Sequence, residues 1–161
     1  MTTTISTQVW PTNAEFPVGT INPTRFQLVF PKLPHLEMFC NVVILPNVNL
    51  GVANQSTRIV DLKQPGEKLY FNVLECTFLI DNRMKNYLEI FSWMKRISVA
   101  GLAVDSFADC HLVTDVGTIV FENAFPISLG NAIFDATATD INYPSCQVSF
   151  AYDQFYPTSG S

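Results

Sequence analysis

Charge is scarce in this sequence. Asp, Glu, Lys and Arg make up 14% of its residues while 48% are hydrophobic, against a usual charged share of about 25%. A lone monomer of 161 residues needs more charge than this to dress its surface, and self-association is the simplest remedy. Basic residues run out altogether along the chain. All nine lie at or before Arg96, and from Ile97 onward there are seven acids and no base. The first 96 residues carry a net charge of +2 within an overall −5. A basic footprint for gripping nucleic acid is therefore absent. The acidic half reads either as a solvated face or as a surface that repels a polyanion or meets a basic partner.

Long hydrophobic runs are missing too. The longest, Asn41–Pro46 and Val99–Val104, are strand-length and fall far short of the ~18 residues a membrane span needs. The opening MTTTISTQ has neither the basic nor the apolar segment of a secretion signal, so the expectation is folding in the cytoplasm. Four widely spaced cysteines (Cys40, Cys76, Cys110, Cys146) show no zinc-site spacing and are expected as buried free thiols. Seven scattered glycines form no phosphate-cradling loop, and no nucleophile elbow or HExxH occurs. His35 and His111 are the only histidines, and neither is tied to a serine or cysteine nucleophile. Asp105 and Asp109 read as loop acids without a ligand cluster. The sequence thus leads to no catalytic residues, no cofactor and no metal, hence not to an enzyme.

What is present is organised around Leu69–Ile97, read as a strand running into the one convincing helix. Leu74, Cys76, Phe78 and Ile80 alternate onto one strand face. Asp81 and Asn82 offer short acceptors for a helix start. Met84, Tyr87, Leu88, Phe91 and Met94 then follow helical spacing, with Ile90, Trp93 and Ile97 as a second apolar set beside them. A surface helix needs an apolar stripe of roughly 100°; this arc is about twice that at ~100° per residue. The helix is therefore read as covered from two sides, Met84, Leu88 and Phe91 against its own domain and Ile90, Trp93 and Ile97 against a neighbouring subunit.

Around this segment, residues 1–24 read as an extended arm, 25–157 as one β domain and 158–161 as a flexible tail. Arg25–Phe30 alternates as a strand, and Met38–Leu45 is apolar on both faces, hence expected to be covered on both sides. Asn47–Lys68 is a long polar stretch with a weak strand at Arg58–Leu62 and a type II turn at Gln64-Pro65-Gly66-Glu67. Strands are expected at Asp109–Thr114, Thr118–Phe125, Ile133–Thr137 and Cys146–Tyr152, with a tight hairpin at Val116-Gly117. The class is mainly β: an antiparallel sandwich or barrel of about seven or eight strands with one packed helix. Its open edges are suited to pairing in a closed ring with a shared barrel.

Three blocks, CNVVILPNVNLG (Cys40–Gly51), QPGEKLYFNVLECTFLIDNRMKNYLEIFSWM (Gln64–Met94) and ENAFPISLGNAIFD with YPSCQVSFAYDQFY (Glu122–Asp135, Tyr143–Tyr156), resemble the tail tube proteins of contractile-tailed bacteriophages. The resemblance implies hexameric rings with a shared β-barrel lumen, stacked into the hollow conduit for genome ejection in a virion tail assembled in the host cytoplasm. Its implied partners are other copies of the chain and the sheath, tape-measure and baseplate proteins, with DNA passing through unbound and no membrane. The same fold serves tube initiators and terminators of the baseplate or neck, and the expelled tube of contractile secretion systems. Within this frame the subunit interface falls on Ile90, Trp93 and Ile97, the inter-ring loop on Asn54, Arg58, Glu67 and Lys68, and the lumen on Gln147, Ser149, Asp153 and Asp135. A monomeric or dimeric binding module using its sandwich loops is the reading of a different class, and the low charge weighs against it.

Overall fold

A computed structural model describes residues 21–33, 40–101 and 106–158. The strands are β1 (Phe26–Val29), β2 (Cys40–Ile44), β3 (Val48–Ser56), β4 (Asp61–Phe71), β5 (Leu74–Leu79), β6 (Ala108–Thr114), β7 (Thr118–Leu129), β8 (Ser145–Ala151) and β9 (Phe155–Thr158), with helix α1 (Lys85–Ala100) between β5 and β6. Seven of the nine form one antiparallel sheet in the order β1-β6-β7-β8-β5-β2, with β9 attached to β7. The other two, β3 and β4, form a separate hairpin.

The sheet folds over on itself because β7 serves both halves. Its first residues pair with β6 on one side and β9 on the other. Its last residues pair with β8. Between them Asn123 sits in the left-handed region at φ 53, a conformation Asn tolerates better than branched side chains. Asp109 accepts the Asn123 backbone N–H at 3.2 Å, and the Asn123 amide donates to Asp153 at 2.7 Å. The hairpin expected at Val116-Gly117 is present, closed by the Thr114 N–H to Gly117 O at 2.9 Å.

One core fills the fold. Leu74, Cys76 and Phe78 of β5 and Cys146, Val148 and Phe150 of β8 point into it as their alternation requires. Phe30, Phe150 and Trp93 form its centre, with Phe30–Phe150 centroids 4.9 Å apart and Trp93 6.1 Å from Phe150. The Trp93 indole N–H donates to Ser106 O at 2.9 Å. Cys76, Cys110 and Cys146 are buried free thiols and Cys40 is half-buried. Burial pushes Cys110 and Cys146 above the ordinary thiol value; the hydrogen bond with Cys40, followed by burial, raises Cys76, and the same bond lowers Cys40.

The helix is where the sequence expectation is corrected. Asp81 caps it as foreseen, its carboxylate accepting the Lys85 N–H at 2.7 Å and the Arg83 N–H at 3.1 Å. Met84, read as helical, is instead a left-handed residue just outside α1. α1 is turned part-way from the expected rotation: Met84, Tyr87 and Met94 pack against the core as expected, but the residues at its centre differ. Ile90 (0% exposed) and Trp93 (3%) are core, and Ile97 is half-buried against it. Leu88 and Phe91 lie outside. The reason is Asn86, fully buried, whose amide donates to Leu79 O at 2.6 Å while its oxygen accepts the Tyr87 N–H at 2.9 Å. This bolt to the end of β5 turns the 86/90/93/97 stripe inward.

Other boundaries shift as well. Pro65-Gly66 lies inside β4, and the turn is at residues 57–60, where the Val60 N–H bonds the Thr57 hydroxyl at 3.1 Å. β2 is an edge strand with Val42 and Ile44 half-exposed, so it is not covered on both sides. Ile133–Thr137 is loop, and Phe155–Thr158, partly assigned to the tail, is strand β9. The arm expectation falls almost wholly outside the described residues, as do His35 and Asp105.

Two substitutions test this fold. Trp93→Ala is expected to cost about 3–5 kcal/mol of folding stability in urea denaturation, the signature of a core residue. Asn123→Val is expected to cost at least about 1–2 kcal/mol, the left-handed penalty of an L-residue, whereas Asn123→Gly retains the bend; equal losses for both would remove the backbone argument.

Candidate assembly surfaces

No enzyme-like constellation is built by the described residues. No three His, Cys, Asp or Glu side chains among them gather as a metal site. His111 is half-buried on β6 between Val29 and Val120. A concavity of about 560 Å³ at the end of α1 is lined by Trp93, Lys95, Arg96 and Val99 among others, and among the described residues its lining contains no histidine, cysteine or carboxylate. Among the described residues no helix is long and apolar enough to cross a membrane.

The distinctive features are surfaces of three kinds. The first is the outer face of β5 and β8. Alternation that buries Leu74, Cys76 and Phe78 turns Glu75 and Thr77 outward, and β8 turns Gln147 and Ser149 to the same face. Register places Thr77 opposite Gln147 and Glu75 opposite Ser149. The Gln147 amide donates to Glu75 at 3.3 Å. The middle of the face is polar, with one acid and no base, and Leu79 and Ala151 alternate onto its ends. Of the four residues read together as lumen-facing, Gln147 and Ser149 share it. Asp153 lies beyond β8, held by Asn123. Asp135 lies in the 130–144 loop, where it accepts the Thr137 N–H at 2.8 Å and the Thr137 hydroxyl at 2.6 Å. These bonds hold its carboxyl below the usual range. Glu75 was missed in the sequence, although its outward position follows from the alternation that buries Leu74 and Cys76.

The second surface is the β3–β4 hairpin, which carries Asn54, Arg58, Glu67 and Lys68, all exposed. Its strands pack extensively only with each other among the described residues. At ~3.3 Å per residue, the 11 residues of β4 make an arm roughly 35 Å long. Two glycines shape it. Gly51 and Gly66 meet at the bulge between Leu50 and Val52, where a Cβ on Gly66 would lie 2.5 Å from Gly51 O. Val48, Leu50 and Val52, opposite Phe71, Leu69 and Pro65, leave an apolar stripe exposed to solvent. The base is fixed to the domain: the Asn72 N–H donates to Asn47 O at 3.0 Å, and the Tyr152 hydroxyl donates to Asn72 O at 2.6 Å. Burial pushes Tyr152 up to about 12, so it stays a donor at neutral pH.

The third surface is apolar and scattered: Leu88, Phe91 and Val99 on α1, and Ile133, Phe134, Ile141 and Tyr143 on the 130–144 loop. Of the predicted interface trio, Ile90 and Trp93 have no surface left to offer a neighbour, while Leu88 and Phe91, assigned to the core, do.

No protein-family model matches the sequence. A search of curated proteins finds no match either. Solved structures do match in fold. The chain is similar to one in the PVC extracellular contractile injection system, sheath/tube terminator in the extended state, at 18% identity and a TM-score of 0.66, covering 89% of this chain and 100% of that one. It is also similar to a chain of the PVC sheath–tube complex at 18% identity and a TM-score of 0.61, covering 94% and 99%. A third likeness is to a chain of the anti-feeding prophage baseplate at 13% identity and a TM-score of 0.63, covering 89% and 98%. The fold is therefore that found in contractile injection system assemblies. The hairpin bulge gives a direct test of its geometry: Gly66→Val should speed hydrogen exchange across β3 and β4 while leaving that of β5 and β8 unchanged.

Proposed function

We propose that this chain is a structural subunit of the tail tube of a contractile-tailed phage, forming stacked hexameric rings through which the genome leaves. The observation that carries this reading is the hairpin arm. A two-stranded ribbon is marginal in water by itself, and this one exposes an apolar stripe, in addition to the apolar residues exposed on α1 and the 130–144 loop. Patches of this kind on a chain with so little charge call for other copies to cover them. Within a ring, Leu88 and Phe91 replace Ile90 and Trp93 as the helix residues offered to neighbours, with Ile97 at their margin. The hairpin, with Asn54, Arg58, Glu67 and Lys68, reaches a further copy.

The outer face of β5 and β8 suits a lumen. Gln147, Ser149, Thr77 and Glu75 present hydrogen-bonding groups and no cation, so a sliding duplex finds no phosphate contact to hold it. DNA then passes without specific binding. The sheath would take the outside of the tube, the tape-measure protein its interior during assembly, and the baseplate its first ring. The site of action is the virion tail, assembled in the host cytoplasm. A second reading is a minor tube-fold protein that starts or ends the tube, or the expelled tube of a contractile secretion system. The similarity to a chain in a terminator structure favours keeping it.

Electron microscopy of the purified protein tests the proposal. Long hollow polymers support the tail tube, single rings that never elongate support the initiator or terminator, and a steady monomer at high concentration in light scattering rejects both. Leu88→Asp with Phe91→Asp should abolish rings while leaving the thermal melt of the monomer nearly unchanged. In phage carrying Ser149→Lys, tubes should form but DNA ejection should slow and become salt-dependent, since each lysine adds about one phosphate contact; unchanged ejection from intact tubes would place this face elsewhere.

A further inference from the structure

We infer that the tip of the β3–β4 hairpin of one copy seats on the 130–144 loop of the next, joining copies head to tail. This rests on the tube reading and names the two surfaces that meet. The tip presents Ile59, 91% exposed, with Val60 and Leu62 beside it. The loop presents Ile141, 87% exposed, with Ile133, Phe134 and Tyr143. Such large apolar side chains standing in water on both segments gain from covering one another.

Charge matches the pair. Residues 54–63 of the hairpin carry Arg58 and Lys63 against Asp61, a net +1. The loop carries Asp135 and Asp140 and no base, a net −2. Asp135 is already fixed in place by Thr137. Opposite charge around an apolar centre is the pattern that sets register between protein surfaces.

Topology decides which copies meet. The hairpin base sits at the start of β5, where Leu74 pairs with Phe150 and Tyr152 holds Asn72. The loop returns at the far end of β5, where Leu79 pairs with Ser145 and the Ile80 N–H bonds Pro144 O at 2.9 Å. The six residues of β5 separate the two by about 20 Å. Two different complementary surfaces on one chain make a heterologous contact, which leaves a free tip on one copy and a free loop on another and so repeats.

The test uses two full-length variants, Ile59→Asp and Phe134→Asp, at positions so exposed that the fold should tolerate them; matching circular dichroism and melts check this. Each variant alone should stop at the unit below elongation, with the concentration needed for polymer raised roughly tenfold or more, the effect of losing one buried aliphatic or aromatic side chain. Mixed, they retain one good tip and one good loop, so electron microscopy should show paired units and nothing longer. Variants that elongate like the wild type overturn the contact while leaving the tube reading intact. Wild-type protein that never assembles overturns both. Variants that fail alone but never pair on mixing also overturn it, because the tip and the loop then serve different partners.

Discussion

One strand holds the two halves of this molecule in a fixed relation. β7 pairs with β6 and β9 over its first residues and with β8 over its last, and it can do so only because Asn123 turns the backbone through a left-handed conformation. The acids at that corner are committed to the turn, Asp109 to the Asn123 N–H and Asp153 to its amide. The corner also sets Tyr152, whose ring packs edge-on to Phe121 at 5.0 Å and lies 6.2 Å from Phe71 at the end of the hairpin. From there its hydroxyl reaches Asn72. The anchoring of the hairpin arm therefore depends on a bend in a strand that belongs to a different sheet.

How much of this was legible in the sequence follows from where alternation was unambiguous. β5 and β8 carry a clean in–out pattern, so their buried faces and the outward Gln147 and Ser149 followed directly. The mainly β class and the tube-like fold followed from the same regularity together with the family resemblance. The helix rotation did not follow, because α1 has two apolar stripes and hydrophobicity cannot choose between them. A buried polar residue chose: Asn86 can satisfy its amide only against the end of β5. The hairpin turn was misplaced because Pro-Gly is a strong turn signal, and here it marks a bulge where two glycine backbones touch. β9 was hidden by Pro157, which an edge position allows.

The exposed surface divides by chemistry in a way that bears on assembly. Apolar side chains stand out on the hairpin, on the outer side of α1 and on the 130–144 loop, while the middle of the outer face of β5 and β8 is polar, with Leu79, Ala151 and the β2 residues Val42 and Ile44 at its margins. A chain that merely needed solubility would have spread its few charges over the apolar patches. Here the bases stop before α1 ends, so β6 to β9 and the loop between β7 and β8 contain none. That distribution leaves β8 free of any group that could grip a phosphate, and it leaves the loop acidic where a basic hairpin tip could meet it. On the proposed tube reading, a single asymmetry in the sequence would serve two requirements of a conduit: a wall that does not bind what passes, and ends that differ enough to join in one direction only.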